Sequence, residues 1–267
     1  MVQDPHQLFA QNLAKKNITV SNFIAGQHQK SSRALLQKYA GLSKKEITEL
    51  EANFEKHYVP TKSLSKDNNI IIEETSHEYH INRANTQTKK LMNIIVTDII
   101  KPLYQEVCVS KSLVYVVFRS TGDFCVNLFS LDPRIGHIFL PLDIVRELYS
   151  AEKANFSSIM SGLFLHELMH LEKLHFDWDI LAKKCDFSPK YWKALRYLQE
   201  YQADQSAASQ KLKFAHYQEA CLHSLLEYGL KNRNVVLGNT QTHPALLFRH
   251  AGVQCIRILL EAEKRLT

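Results

Sequence analysis

The chain has no Cys-x-x-Cys pair, no block of like charges and no apolar run that could cross a bilayer. Each lack removes a class of function. The five cysteines (Cys108, Cys125, Cys185, Cys221 and Cys255) are odd in number and lie far apart. That reads as buried thiols in a reducing compartment rather than a disulfide framework. The longest apolar runs, such as LVYVVF and IFLPL, fall far short of the roughly 20 residues of a membrane-spanning helix. The N-terminal stretch MVQDPHQLFAQNLAKK carries an acid at Asp4 and no apolar core segment, so it does not read as a secretory signal. A soluble cytoplasmic protein is expected, with export by a route that needs no cleaved signal left open. The net charge of +6 is spread along the chain. It permits weak attraction to anionic surfaces and does not point to nucleic acid. Internal repeats and low-complexity tracts are also lacking.

What is present suits a globular protein. With 267 residues, 45% of them hydrophobic, the chain can bury a real core as one large domain or a domain with an appendage. Residues 1–66 are polar with helical patches and read as an N-terminal extension; 67–267 read as the main domain. In LSKKEITELEANFEKHY, Ser43 and Glu46 form a capping box that opens a helix to about Tyr58. Pro60 and the polar TKSLSKDNN read as a linker. NIIIEE and SLVYVVFRS read as strands, and between them TQTKKLMNIIVTDIIKPLYQEV has helical periodicity that stops near Pro102 or soon after. Two more short strands flank the turn-like DPRIG. After Pro141 the chain turns helical, over about 142–151, from about Ser157, from Ser188 with Pro189 at the first helical position, and over about 212–229 and 244–265. A small sheet followed by a run of helices argues an α+β fold.

The chemistry begins at LFLHELMHLEKLHF, residues 163–176. On a helix, His166 and His170 lie one turn apart on one face and can direct two imidazoles at a single ion. Glu167, beside the first of them, is placed to reach the water such an ion activates rather than the ion itself. An amphipathic helix with histidines on a polar face is the plainer alternative. The surrounding Leu163, Phe164, Leu165, Leu168, Met169 and Leu171 are apolar all round, however, and buried histidines and a buried glutamate need partners. The metzincin spacing would put a glycine at 173 and a histidine at 176, where this chain has Lys173 and Phe176. His175 is therefore off by one, with no glycine to break the helix, and is expected at a helix surface or cap. The better third ligand lies in YLQEYQADQSAA. Glu200 and Asp204 are again one turn apart, beside Ala203, Ala207 and Ala208, small residues that let another helix come close. Glu200 completes a His/His/Glu zinc set with one open position. Asp204 could accept a hydrogen bond from the second nitrogen of a ligand histidine. The alternative is an exposed acidic pair on an amphipathic helix.

Taken in order, HELMH, EYQAD and THPALLFR resemble the signature of the gluzincin metallopeptidases related to type I CAAX prenyl proteases and the HtpX heat-shock proteases. The resemblance covers roughly residues 110–260. It implies a mostly helical zincin-type fold with a small β-sheet lining the cleft. It also implies one zinc held by His166, His170 and Glu200, with Glu167 as catalytic base and Asp204 behind the ligands. His243 matches a histidine near the bound carbonyl, with a structural role before Pro244 as the alternative. Arg249 matches an arginine that helps hold the site together, with a solvated helical arginine as the alternative. In VNLFS, Asn127 is similar to the asparagine of an edge-strand segment that binds substrate. Prenyl-protein specificity is not implied, because those relatives are embedded in membranes and this chain has no spanning segment. Residues 1–66 match nothing in the family. The expected activity is zinc-dependent endopeptidase action on a protein or peptide substrate. A silent zincin-scaffold interaction protein and a metal-dependent amidohydrolase of a non-peptide substrate are the competing expectations.

Overall fold

The computed structural model describes residues 4–57, 70–73, 75–76, 79–80, 86–107, 113–119, 125–128, 135–173, 175, 188–232 and 244–266. In chain order these hold helices α1 (Pro5–Lys15), α2 (Val20–Ala40) and α3 (Lys44–His57), then strands β1 (Ile70–Glu73), β2 (Thr75–Ser76) and β3 (Tyr79–His80). Helix α4 (Thr86–Ile94) runs through a π-helical segment, Ile95–Ile100, into α5 (Lys101–Val107). Strands β4 (Leu113–Arg119), β5 (Cys125–Leu128) and β6 (Ile135–Pro141) follow. Helices α6 (Leu142–Ala151), α7 (Phe156–Glu172), α8 (Pro189–Gln210), α9 (Leu212–Asn232) and α10 (Leu246–Lys264) complete the chain. The fold is mostly helical with a small sheet, and no described helix is long and apolar enough to cross a membrane.

Two compact units emerge, Met1–Pro60 together with Asp179–Thr267, and Thr61–Trp178. This differs from the division expected at residue 66, with the N-terminal part as an extension. The reason is apolar burial. Leu13, Val20 and Ile24 from the N-terminal helices join Ala208, Ala215, Leu222, Val253, Ile256 and Leu260 in one buried cluster. Polar contacts fix the seams: Gln202 Nε2 donates to Ser32 Oγ at 3.1 Å, and His28 Nε2 lies 2.8 Å from Gln205 Oε1. The N-terminus of α2 is closed from the far end of the chain, where Glu263 accepts the Val20 N–H at 2.9 Å. Helix α3 opens as its capping box requires: Ser43 N–H donates to Glu46 at 2.7 Å and Glu46 N–H to Ser43 Oγ at 3.3 Å.

The other unit is built on a four-stranded sheet of order β1-β4-β6-β5. β1, β4 and β6 are parallel neighbours, and β5 runs antiparallel at the edge beyond β6. Parallel β1 and β4 need a crossover, which α4 and α5 supply. The helical stretch expected to stop near Pro102 or soon after runs to Val107. The wide π turn sits directly before Pro102, whose ring crowds the carbonyl four residues back and which offers no N–H. On the sheet, Val116 and Phe118 of β4 stand in register with Ile138 and Leu140 of β6, and all four are buried on one face. Helix α7 packs against β5, β6 and the π segment.

Candidate metal centre

Helix α7 has no polar face to keep in water. From Phe156 to Leu171 nearly every residue is buried, including His166 at 9% exposure and Glu167 at 7%. One turn apart, the Nε2 atoms of His166 and His170 face each other at 3.0 Å, their rings edge-to-face at 76°. Two imidazole nitrogens this close need either a proton or a cation between them. Two ligands of a tetrahedral ion with bonds of about 2.05 Å would stand roughly 3.3 Å apart, so a small contact shift accommodates one.

His175 is not at a surface. It is 2% exposed, and its Nδ1 lies 2.8 Å from His170 Nδ1. The expectation of a helix-surface or cap residue is corrected here, and the reason is local. Helix α7 ends at Glu172 without a glycine, because its C-cap, Lys173, takes φ −91° and ψ 5°, a conformation open to any L-residue. On a continuing helix His175 would sit about 140° around the axis from His170. The early stop lets it come back instead.

The carboxylates come from α8. Ser188 caps this helix by accepting from Tyr191 N–H at 3.3 Å, with Pro189 in the first turn. Ala203, Ala207 and Ala208 are fully buried, and Glu200 (8% exposed) and Asp204 (1%) are buried with them. They are not an exposed acidic pair. Arg249, in the first turn of α10, lies between them at 7% exposure. Its Nε donates to Asp204 Oδ2 at 2.6 Å and its Nη2 to Asp204 Oδ1 at 2.9 Å, a bidentate clamp. Its Nη1 reaches Glu200 Oε2 at 2.9 Å. The solvated-arginine alternative is excluded. Burial works against the guanidinium charge, but Asp204 and then Glu200 outweigh it and hold the pKa above the usual arginine value. Nearby, burial pushes the Tyr201 phenol up.

The paired imidazoles of His166 and His170 could take part in holding a metal ion; Glu200, the expected third ligand, belongs to the other unit. Two imidazoles joined by one carboxylate would make a borderline donor set that leaves a fourth position open. The charges suit a cation as well. Around Arg249 two carboxylates meet one guanidinium, which a divalent ion would compensate. Asp204, expected to receive a histidine N–H, gives both oxygens to Arg249, and the second nitrogen of His170 faces His175.

Two expected residues cannot be set beside these. Asn127 is on β5, the antiparallel edge strand, opposite His137 of β6. The side chain of Asn127 and the whole of His243 lie outside the described residues. The helix expected from 244 begins at Leu246 with Ala245 as its N-cap, so His243 precedes the cap by two residues. No family model, curated protein or solved structure matches the chain.

Proposed function

We propose that the protein is a zinc-dependent endopeptidase of the gluzincin kind, similar to the HtpX and type I CAAX prenyl protease group, with no described helix long and apolar enough to cross a membrane. One observation carries the reading: the Nε2 atoms of His166 and His170 lie 3.0 Å apart on a buried helix, with the buried Glu167 next in sequence to the first of them. His166, His170 and Glu200 would hold the zinc, which when bound supplies a Lewis acid for the scissile carbonyl and lowers the pKa of water.

The chain's own groups do the rest. Glu167 takes a proton from the attacking water and delivers it to the leaving amine. Being buried, it makes that transfer away from competing solvent. Arg249 holds the Glu200 carboxylate in place while neutralising Asp204 beneath it. Among the described strands β5 stands at the sheet edge, where an extended peptide would add by backbone pairing, and Asn127 sits on that strand. His243 donates to the oxyanion as charge develops on the carbonyl.

The test is mass spectrometry of new peptide termini in a lysate treated with wild-type protein and with Glu167→Gln. Termini made by the wild type alone are expected. Identical peptide sets from the two proteins would refute peptidase action and leave a silent scaffold.

A further inference from the structure

We infer that His175 is a positioning residue of the metal centre, fixing the tautomer and ring orientation of His170. The inference rests on the metal-site reading above and extends it to a residue whose sequence position suggests a bystander.

Three observations meet at this histidine. Its Nδ1 stands 2.8 Å from Nδ1 of His170, the nitrogen on the far side of the ring from His166. It is 2% exposed, so it is held firmly where it is. His170, by contrast, is the less buried of the two ligand histidines and has less packing to fix its ring. An imidazole binds a metal through a lone pair, so a His170 that binds through Nε2 carries its proton on Nδ1. That proton needs an acceptor, and Nδ1 of His175 occupies the acceptor's position. His175 must then keep its own proton on Nε2. The two rings are set edge-to-face, with centroids 4.8 Å apart and planes at 78°. In this arrangement the N–H of one ring points at a ring nitrogen of the other.

The acceptor is a neutral ring rather than a carboxylate. It orients His170 without adding a further negative charge near the buried Glu167. Supporting hydrogen bonds of this kind typically carry about 10–100-fold in metal affinity.

The experiment is a zinc titration of wild type, His175→Leu and His175→Asn against a chromophoric chelator, with the melting temperature of each metal-free protein recorded. Asparagine places an acceptor oxygen near the position of Nδ1; leucine fills the space without one. His175→Leu is expected to bind zinc about 10–100-fold more weakly and His175→Asn to recover most of the loss. Equal zinc affinity in wild type and His175→Leu overturns the inference and spares the metal centre. So does equal loss in both variants, since that marks a packing role. A wild type that binds no zinc overturns the metal centre and this inference together. Should the leucine variant not fold, long-range proton–nitrogen NMR of the zinc-loaded wild type decides. Protons on Nδ1 of His170 and Nε2 of His175 are expected, and the opposite tautomer in His170 refutes the inference.

Discussion

Replacing Arg249 with methionine keeps most of the side-chain volume and removes the charge that holds two buried carboxylates. Three contacts vanish: Nε to Asp204 Oδ2 at 2.6 Å, Nη2 to Asp204 Oδ1 at 2.9 Å and Nη1 to Glu200 Oε2 at 2.9 Å. Asp204 is left at 1% exposure and Glu200 at 8%, too deep for water to replace the guanidinium. Breaking one side of a buried ion pair costs about 3–5 kcal/mol. At about 2–4 °C per kcal/mol for a chain of this size, Arg249→Met should melt about 6–20 °C below wild type. The pKa of Arg249 is raised on folding, so its contribution is fully present below the usual arginine value and lost only as pH rises through the higher folded value. Titration of the arginine therefore adds no slope to the difference between the proteins from about pH 6 to 9. Arg249→Lys keeps the charge without the planar fork and should fall between the two. Calorimetry of the metal-free proteins in chelator is the assay. A methionine variant that melts within about 2 °C of wild type refutes the reasoning, because the carboxylates would then not depend on Arg249.

Glu200→Ala should weaken zinc binding more than any supporting residue does, beyond about a hundredfold in a chelator competition. Ala207 is fully buried on α8, so Ala207→Leu should overpack that contact and destabilise the protein by about 1–3 kcal/mol in urea unfolding. His243→Ala should lower kcat on a cleaved peptide about a hundredfold, with KM little changed and zinc retained. Unchanged kcat with a lower melting temperature would make His243 a structural residue.

Features set by neighbours a few residues apart were legible in the sequence. The Ser43–Glu46 capping box, the Ser188–Pro189 helix start and the burial of α7 each follow from a local pattern. So did the pairing of Glu200 with Asp204 on one face, because a helical turn sets it. What depended on the path between elements was harder. Arg249 lies 45 residues from Asp204, and no spacing rule links them; only its resemblance to a family arginine pointed there. His175 was misplaced because its burial depends on where α7 stops, and a lysine at the C-cap gives no signal of it. The association of residues 1–60 with 179–267 was hidden for a similar reason. A polar, amphipathic helix shows that it has an apolar stripe, not which distant helix covers it.

Anomalous diffraction at the zinc absorption edge, from crystals grown with zinc, tests the central claim most directly. A single peak is expected within bonding distance, about 2.0–2.2 Å, of His166, His170 and Glu200, with His175 turned to His170 and outside the ligand set. A peak that lacks Glu200 as a ligand, or no peak beside the two histidines, would contradict it.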